Sequence, residues 1–221
     1  MTEIVPAILP ASYNDLASHI ARVHGLVPRV QIDIANGSYA PTKTWPYTSK
    51  EHFRELISQE EGLPHWDEVD YETDMLITKP EEIISEWTDI GISAAIIHIE
   101  STEKLQECIA MAKERSIEIG FGVKPGTPLE RLLPYLSEID FVQCMGSDTI
   151  GHHGVILDER VYEKIKEIRK ENSDIPIAVD IGVTFDTAPK LIAVGATKLV
   201  SGSAIFKNPD ITEAVQYFES L

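Results

Sequence analysis

Hydrophobic and polar positions alternate in blocks along the chain. Short runs rich in valine and isoleucine are separated by longer stretches in which apolar residues recur every three or four positions. These patterns are typical of buried parallel strands and of amphipathic helices, respectively. The predicted strands are 4–9, 30–34, 75–77, 94–99, 117–123, 141–145, 177–181 and 198–201.

Helix start signals follow several of these runs. Ser12, Thr102 and Thr187 stand where helix caps are expected, and Pro128 stands at an early helical position. Eight strand–helix units in 221 residues predict an α/β fold, a closed (β/α)₈ TIM barrel, as a single domain over residues 1–221. An open doubly wound sheet is the alternative. The long connection 35–70 is expected to contain a helix near 49–58 and a polar, aromatic loop.

Charge and composition narrow the classes of partner. The chain has 36 acidic and 19 basic residues and a formal charge of -17, which opposes binding to nucleic acid or to an anionic membrane. There is no basic, apolar leader and no apolar run of about 18 residues, so we expect a cytoplasmic protein. The two cysteines, Cys108 and Cys144, are expected to be reduced core thiols.

Three carboxylates stand on or at the ends of predicted strands. They are Asp33, Asp74 and Asp180, and in a barrel the carboxyl ends of all strands meet at one mouth. A buried aspartate is costly unless it is paired, hydrogen-bonded or metal-bound. One alone would be interpreted as a satisfied buried acid that caps a loop. Three at one mouth favour a chemical site.

A phosphate site is predicted from the last two strands. Gly182 follows the seventh strand, and Gly202 and Ser203 follow the eighth. Loops at these two positions of a barrel commonly bind phosphate through backbone amides. An ordinary glycine turn capped by Ser203 is the alternative, and the agreement of two loops favours phosphate.

Several segments in register resemble the ribulose-phosphate 3-epimerase family. They are Pro6-Ala7-Ile8-Leu9, Gln31-Ile32-Asp33-Ile34-Ala35-Asn36-Gly37-Ser38-Tyr39-Ala40-Pro41, His98-Ile99-Glu100 with Lys124-Pro125-Gly126-Thr127-Pro128, Val179-Asp180, and Ser201-Gly202-Ser203-Ala204-Ile205-Phe206. The resemblance covers nearly the whole chain. It implies a barrel of the ribulose-phosphate-binding type and an isomerase of carbohydrate metabolism, with a small phosphorylated sugar of the pentose phosphate kind as ligand.

The resemblance also implies roles for the aspartates. In the family, the counterparts of Asp33 and Asp180 are the acid and base on opposite faces of the sugar, and both bind a divalent metal together with two histidines. Here Gln31 and Asp74 occupy the histidine positions. A set of four oxygen ligands, Gln31, Asp33, Asp74 and Asp180, favours Mg²⁺ or Mn²⁺ over zinc or iron. The alternative is that no metal binds.

Other mouth positions depart from the family pattern. The sixth loop contains Gly151, His152, His153 and Gly154, and its glycines are expected to contact substrate or phosphate. The paired histidines are interpreted either as a closing lid that restores an imidazole ligand or as solvated loop residues, with a slight preference for the second.

Two further mouth residues match the family. Met145 keeps the family's methionine lining, and His98 is expected to hydrogen-bond within the site rather than bind metal. Glu100 and Lys124 are expected to form a structural pair beside His98.

Two functions compete. The first is an epimerase-like enzyme that moves protons on a ketose phosphate through a metal-stabilised enediolate, with Asp33 and Asp180 as acid and base. The second is a non-catalytic relative that binds a phosphorylated metabolite or a protein partner. Gln31 and Asp74 are both oxygen donors, which favours the enzyme. The oligomeric state stays open, although barrels of this family commonly associate as homo-oligomers.

Overall fold

Eight parallel strands close into a barrel in chain order, with the first strand hydrogen-bonded to the last. The computed structural model describes residues 2–59, 62–152 and 154–221. The strands are β1 (Glu3–Ile8), β2 (Arg29–Ala35), β3 (Asp70–Leu76), β4 (Ala94–His98), β5 (Glu118–Val123), β6 (Phe141–Met145), β7 (Ile177–Asp180) and β8 (Lys198–Ser201). The predicted (β/α)₈ barrel is confirmed, and the open sheet is wrong.

Helices cover the outside of the barrel. They are α1 (Tyr13–Ile20), α2 (Glu51–Gln59), α3 (Ile84–Asp89), α4 (Leu105–Arg115), α5 (Arg160–Glu171), α6 (Ala188–Ala193), α7 (Ser203–Phe206) and α8 (Ile211–Glu219), with 3₁₀ turns at Pro80–Glu82, Leu129–Arg131 and Leu133–Tyr135. Within the described parts of the chain, no helix has the length and apolar character needed to cross a bilayer.

The predicted helix starts are confirmed in part. Ser12 caps α1 by accepting a hydrogen bond from the third helical amide at 3.2 Å, and Thr187 is the residue before α6. Thr102 lies too early, because α4 begins three residues later. No α-helix lies in the described connection between β5 and β6 that contains Pro128. Two 3₁₀ turns stand there, and Pro134 near the start of the second lacks the N–H that a continuing helix would need.

Most of the hydrophobic core lies between the strands and the helices. Leu16, Ile20, Trp87 and Phe218 are fully buried there. Both cysteines are buried and free, as predicted. A smaller apolar cluster lies apart from this core and contains Val5, Ala7, Ala94, Ile96, Phe141, Ala178 and Val200.

The third strand begins five residues before the predicted run. It starts at Asp70 because Glu72 is buried and paired, with Lys198 Nζ of β8 at 2.5 Å and Arg29 of β2 at 3.5 Å. Tyr71 and Met75, the alternate residues of the strand, belong to the outer core. Polar residues therefore lie within the barrel along this strand. A search for apolar runs does not detect the first part of β3 for this reason.

Candidate active site

Three aspartates from three strands meet at the carboxyl end of the barrel. Asp33 lies on β2, Asp74 on β3 and Asp180 at the end of β7, and Asp33 pairs in register with Asp74. One carboxylate oxygen from each lies within 4.8 Å of the others. All three residues are buried, with at most 8% of their surface exposed. Barrel closure brings β7 to β2 and β3, so the predicted meeting of these aspartates is found.

Two buried side chains make hydrogen bonds to these aspartates. Gln31 Nε2 donates to Asp33 Oδ1 at 2.7 Å, and His98 Nε2 lies 2.7 Å from Asp74 Oδ1. His98 therefore hydrogen-bonds within the site, as expected from the sequence. Gln31 Oε1 and Asp74 Oδ2 are buried and have no hydrogen-bond partner in the described residues.

Within this trio of aspartates, burial and mutual repulsion raise the pKa values of Asp33 and Asp180. Burial, followed by the charges of Asp180 and Asp74, raises the pKa of Asp33 well above its ordinary value. Burial and the charge of Asp74 raise the pKa of Asp180 to about 7. Burial alone would lower the pKa of His98, but the carboxylate of Asp74 outweighs it and raises that pKa.

The donor set fits a divalent cation. Three carboxylates this close cannot all be ionised cheaply without a positive charge between them. Asp74 Oδ2 is free to coordinate, because its other oxygen faces His98. Gln31 presents its amide nitrogen to Asp33, so a rotation of the amide about its last bond would turn the unpartnered Oε1 toward a cation. Oxygen-only ligands suit Mg²⁺ or Mn²⁺.

A cavity of about 470 Å³ opens above the aspartates. Asp33 and Asp180 line it, whereas Gln31, Asp74 and His98 lie buried and outside its lining. The other predicted residues that line it are Met145, Gly151, His152, Gly154, Gly182, Gly202 and Ser203. His153 lies outside the described residues. The structure thus gathers most of the predicted site residues around one cavity, with His98 buried beside Asp74 and outside the cavity lining.

The loop after β7 is fixed by close backbone packing. Gly182 has a φ of +73°, and a Cβ atom built on it would lie 2.7 Å from the backbone nitrogen of Leu157. Only glycine fits there, since both the conformation and the space exclude a side chain. Gly202 directly follows β8, and Ser203 begins α7, whose first amides have no acceptor within their own helix.

A second polar cluster lies beside His98 and was only partly foreseen. Glu100 accepts hydrogen bonds from the Thr127 hydroxyl at 2.5 Å, from the Tyr39 hydroxyl at 2.8 Å and from the backbone N–H of Lys124 at 3.2 Å. The Lys124 ammonium lies 4.3 Å from the centre of the Tyr39 ring. Glu100 and Lys124 are therefore joined through the backbone and Tyr39, rather than by a direct ion pair.

The outer wall of the cavity was missed by sequence reasoning. Thr184, Thr187 and Lys190 line it from the β7–α6 segment, and Ile156 lines it from the sixth loop with 87% of its surface exposed. No motif singled these residues out. The available signal was their position just beyond the carboxyl ends of strands six and seven.

Comparison with known proteins shows the family of the chain. A model of the ribulose-phosphate 3-epimerase family matches residues 3–206. The chain belongs to this family. Among its relatives, ribulose-phosphate 3-epimerase of Bacillus subtilis is 28% identical over 221 residues, covering 97% of each chain. The enzyme of the same name from Schizosaccharomyces pombe is 26% identical over 206 residues, covering 92% of this chain and 86% of its own.

Solved structures share the barrel with this epimerase family member at low sequence identity. A 3-hexulose-6-phosphate synthase from Salmonella typhimurium superposes with a TM-score of 0.71 at 16% identity, covering 100% of this chain and 97% of its own. A 3-keto-L-gulonate-6-phosphate decarboxylase from Vibrio cholerae also has a TM-score of 0.71, at 10% identity, and covers 100% of this chain and 97% of its own. These likenesses confirm the fold.

Proposed function

We propose that this protein is a carbohydrate isomerase that epimerises a ketose phosphate, with Asp33 and Asp180 as its acid and base. The observation that carries the proposal is the placement of these two carboxylates, from β2 and β7, in the wall of one cavity. Membership of a family whose relatives are named ribulose-phosphate 3-epimerase makes ribulose 5-phosphate the first substrate to test.

Epimerisation inverts one carbon, so one group removes a proton from one face and another returns a proton to the other face. A carboxyl and a carboxylate suit these tasks when their pKa lies near the working pH. The raised pKa of Asp180, about 7, meets this condition. Each aspartate has two oxygens, and we assign the one directed away from the trio to the substrate carbon.

A divalent cation belongs to the same proposal. Asp33, Asp74 and Asp180 would hold it, with Gln31 after rotation of its amide. When bound, the ion supplies positive charge that stabilises an enediolate oxygen. The residues of the chain orient the sugar and exchange its protons. Mg²⁺ and Mn²⁺ are the ions that these oxygen ligands favour.

We assign the substrate phosphate to the loops after β7 and β8. Gly182, Gly202 and Ser203 line the same cavity as the two proton-transfer aspartates, and backbone amides there would donate to phosphate oxygens. This leaves Gly151, His152 and Gly154 to cover the substrate from the sixth loop, together with Met145 below.

The test is incorporation of solvent deuterium into ribulose 5-phosphate, with product identified by NMR, in the presence of Mg²⁺ or Mn²⁺. Asp33→Asn and Asp180→Asn should each reduce exchange by about 10² to 10⁴-fold. Asp186→Asn is the matched control, because Asp186 lines the same cavity but is exposed and outside the trio. It should retain most of the exchange.

Retained exchange in Asp33→Asn or Asp180→Asn would refute the assigned roles. If the wild-type protein exchanges no proton of any ketose phosphate offered, the enzymatic proposal fails. Binding of the sugar phosphate without exchange would then support a non-catalytic member of the family.

A further inference from the structure

A second group of potential metal ligands lies far from the mouth. His24 lies in the turn between α1 and β2, and His65 and Glu68 lie in the segment that precedes β3. Both segments enter strands, so they lie at the amino end of the barrel, opposite the cavity with Asp33 and Asp180. All three side chains reach solvent.

The three side chains are already gathered. One nitrogen of each imidazole and one oxygen of Glu68 lie within 4.8 Å of one another. His24 Nδ1 lies 3.2 Å from Glu68 Oε2, and the rings of His24 and His65 stack with centroids 3.9 Å apart and planes 11° apart. The ring of His65 makes no hydrogen bond to any described residue.

Backbone hydrogen bonds hold the ligand-bearing segments in place. The carbonyl of His65 accepts from the amides of Glu68 and Val69, both at 2.9 Å, which fixes two of the ligands on one tight turn. The amide of His24 donates to Ile20 at the end of α1, also at 2.9 Å. Val69 is buried against the main core, so the turn is anchored. Little chain entropy remains to be lost on binding.

We propose that His24, His65 and Glu68 bind a divalent transition-metal ion, with Zn²⁺ as the preferred ion. Two imidazoles and one carboxylate are a ligand set that suits zinc, and water completes the coordination. The ion takes the place of the contact between His24 Nδ1 and Glu68 Oε2 and engages the ring of His65, which makes no hydrogen bond to a described residue. The site is distinct from the oxygen-only trio at the mouth, which favours harder ions.

Coordination requires a small rearrangement. The lone pair of an imidazole nitrogen lies in the plane of its ring, and the two rings are nearly parallel. The rings must therefore splay so that both lone pairs point at one ion. Because both side chains reach solvent, rotation about their side-chain bonds accomplishes this without moving the core.

The experiment is calorimetric titration of Zn²⁺ into the tag-free, metal-stripped full chain. His24→Ala and His65→Asn should each weaken one binding event by about tenfold or more, as loss of metal-site partners does. Asparagine is chosen because the φ of His65 is +56°, a conformation that asparagine tolerates. His19→Ala is the matched control, since His19 also lies beside a carboxylate, Asp15, at 3.3 Å.

A second readout separates this site from the mouth. Trp66, next to His65, is 67% exposed, whereas Trp45 and Trp87 are buried. Cu²⁺ bound by the two histidines should quench the fluorescence that Trp66→Phe removes, and His24→Ala should reduce that quenching. Equal Zn²⁺ affinity in wild type, His24→Ala and His65→Asn would overturn the proposal. So would an equal loss of affinity in His19→Ala.

Discussion

Asp180→Asn should make the metal-free protein more stable at neutral and alkaline pH. Burial and the neighbouring Asp74 raise the pKa of Asp180 from its ordinary value of 3.8 to about 7. The folded state therefore binds a proton more tightly than the unfolded state, and stability falls as pH rises from about 4 through about 7. Asparagine has nearly the same shape and carries no charge at any of these values.

The magnitude follows from the size of the pKa change. One pKa unit corresponds to about 1.4 kcal/mol, so the rise of Asp180 corresponds to ~4 kcal/mol of lost stability above about pH 8. More than half of this loss should fall between about pH 5 and about pH 8. The backbone N–H of Ile181 donates to Asp180 Oδ1 at 2.7 Å, and the amide oxygen of asparagine can keep that bond.

The assay is urea unfolding in the presence of a chelator, followed by circular dichroism at about pH 5 and about pH 8. The difference between Asp180→Asn and wild type should grow with pH in favour of the variant, whereas exposed Asp186→Asn should show no such growth. Added Mn²⁺ should stabilise wild type and narrow the gap, because the ion binds the folded trio. If Asp180→Asn is less stable than wild type at about pH 8 without added cation, the three aspartate side chains do not repel one another as described, and the reasoning is wrong.

Three further outcomes test the barrel and its mouth. Lys198→Met leaves Glu72 buried without its 2.5 Å partner and should cost ~3 to 5 kcal/mol in urea unfolding, most of it recovered when Glu72→Gln is added. Gly182→Ala should weaken binding of inorganic phosphate, measured by calorimetry, while Gly25→Ala, with a similar φ of +75° but open space around it, should not. Ser12→Ala removes the α1 cap and should cost about 1 kcal/mol of unfolding free energy.

The barrel could be predicted because its strands are buried on both faces and therefore appear as apolar runs. The prediction of individual elements failed at two places, one where buried charged residues interrupt an apolar strand and one where a proline prevents a helix. Along β3, Glu72 and Asp74 place charge within the barrel, so only its last residues appeared apolar. After β5, 3₁₀ turns stand where a helix was expected, because Pro134 lacks the N–H that a longer helix would need. The sequence shows this only when the position of each proline is considered separately.

The sequence predicted which residues lie near the candidate site, but not how far apart they are or how deeply each is buried. A rule about strand ends places Asp33, Asp74 and Asp180 at one mouth without giving their separation. It cannot tell that His98 is fully buried and lies outside the cavity lining, since that depends on the residues that pack around it, such as Asp74 and Tyr39. The cluster of His24 with His65 was invisible in the sequence, because 41 positions separate these residues and the parallel pairing of β2 with β3 brings them together.

His98 bears on how firmly the trio would hold a cation. Counted from the sequence, Gln31 and three aspartates around a divalent ion leave one negative charge in excess. In the proposed mechanism one of Asp33 and Asp180 carries a proton as the acid, which removes that excess without a charge on His98. The contribution of His98 is positional: its Nε2 lies 2.7 Å from Asp74 Oδ1 and leaves Asp74 Oδ2 without a partner, ready for a cation. Replacing His98 with leucine should therefore weaken Mn²⁺ binding to the trio, although His98 itself is not assigned as a ligand.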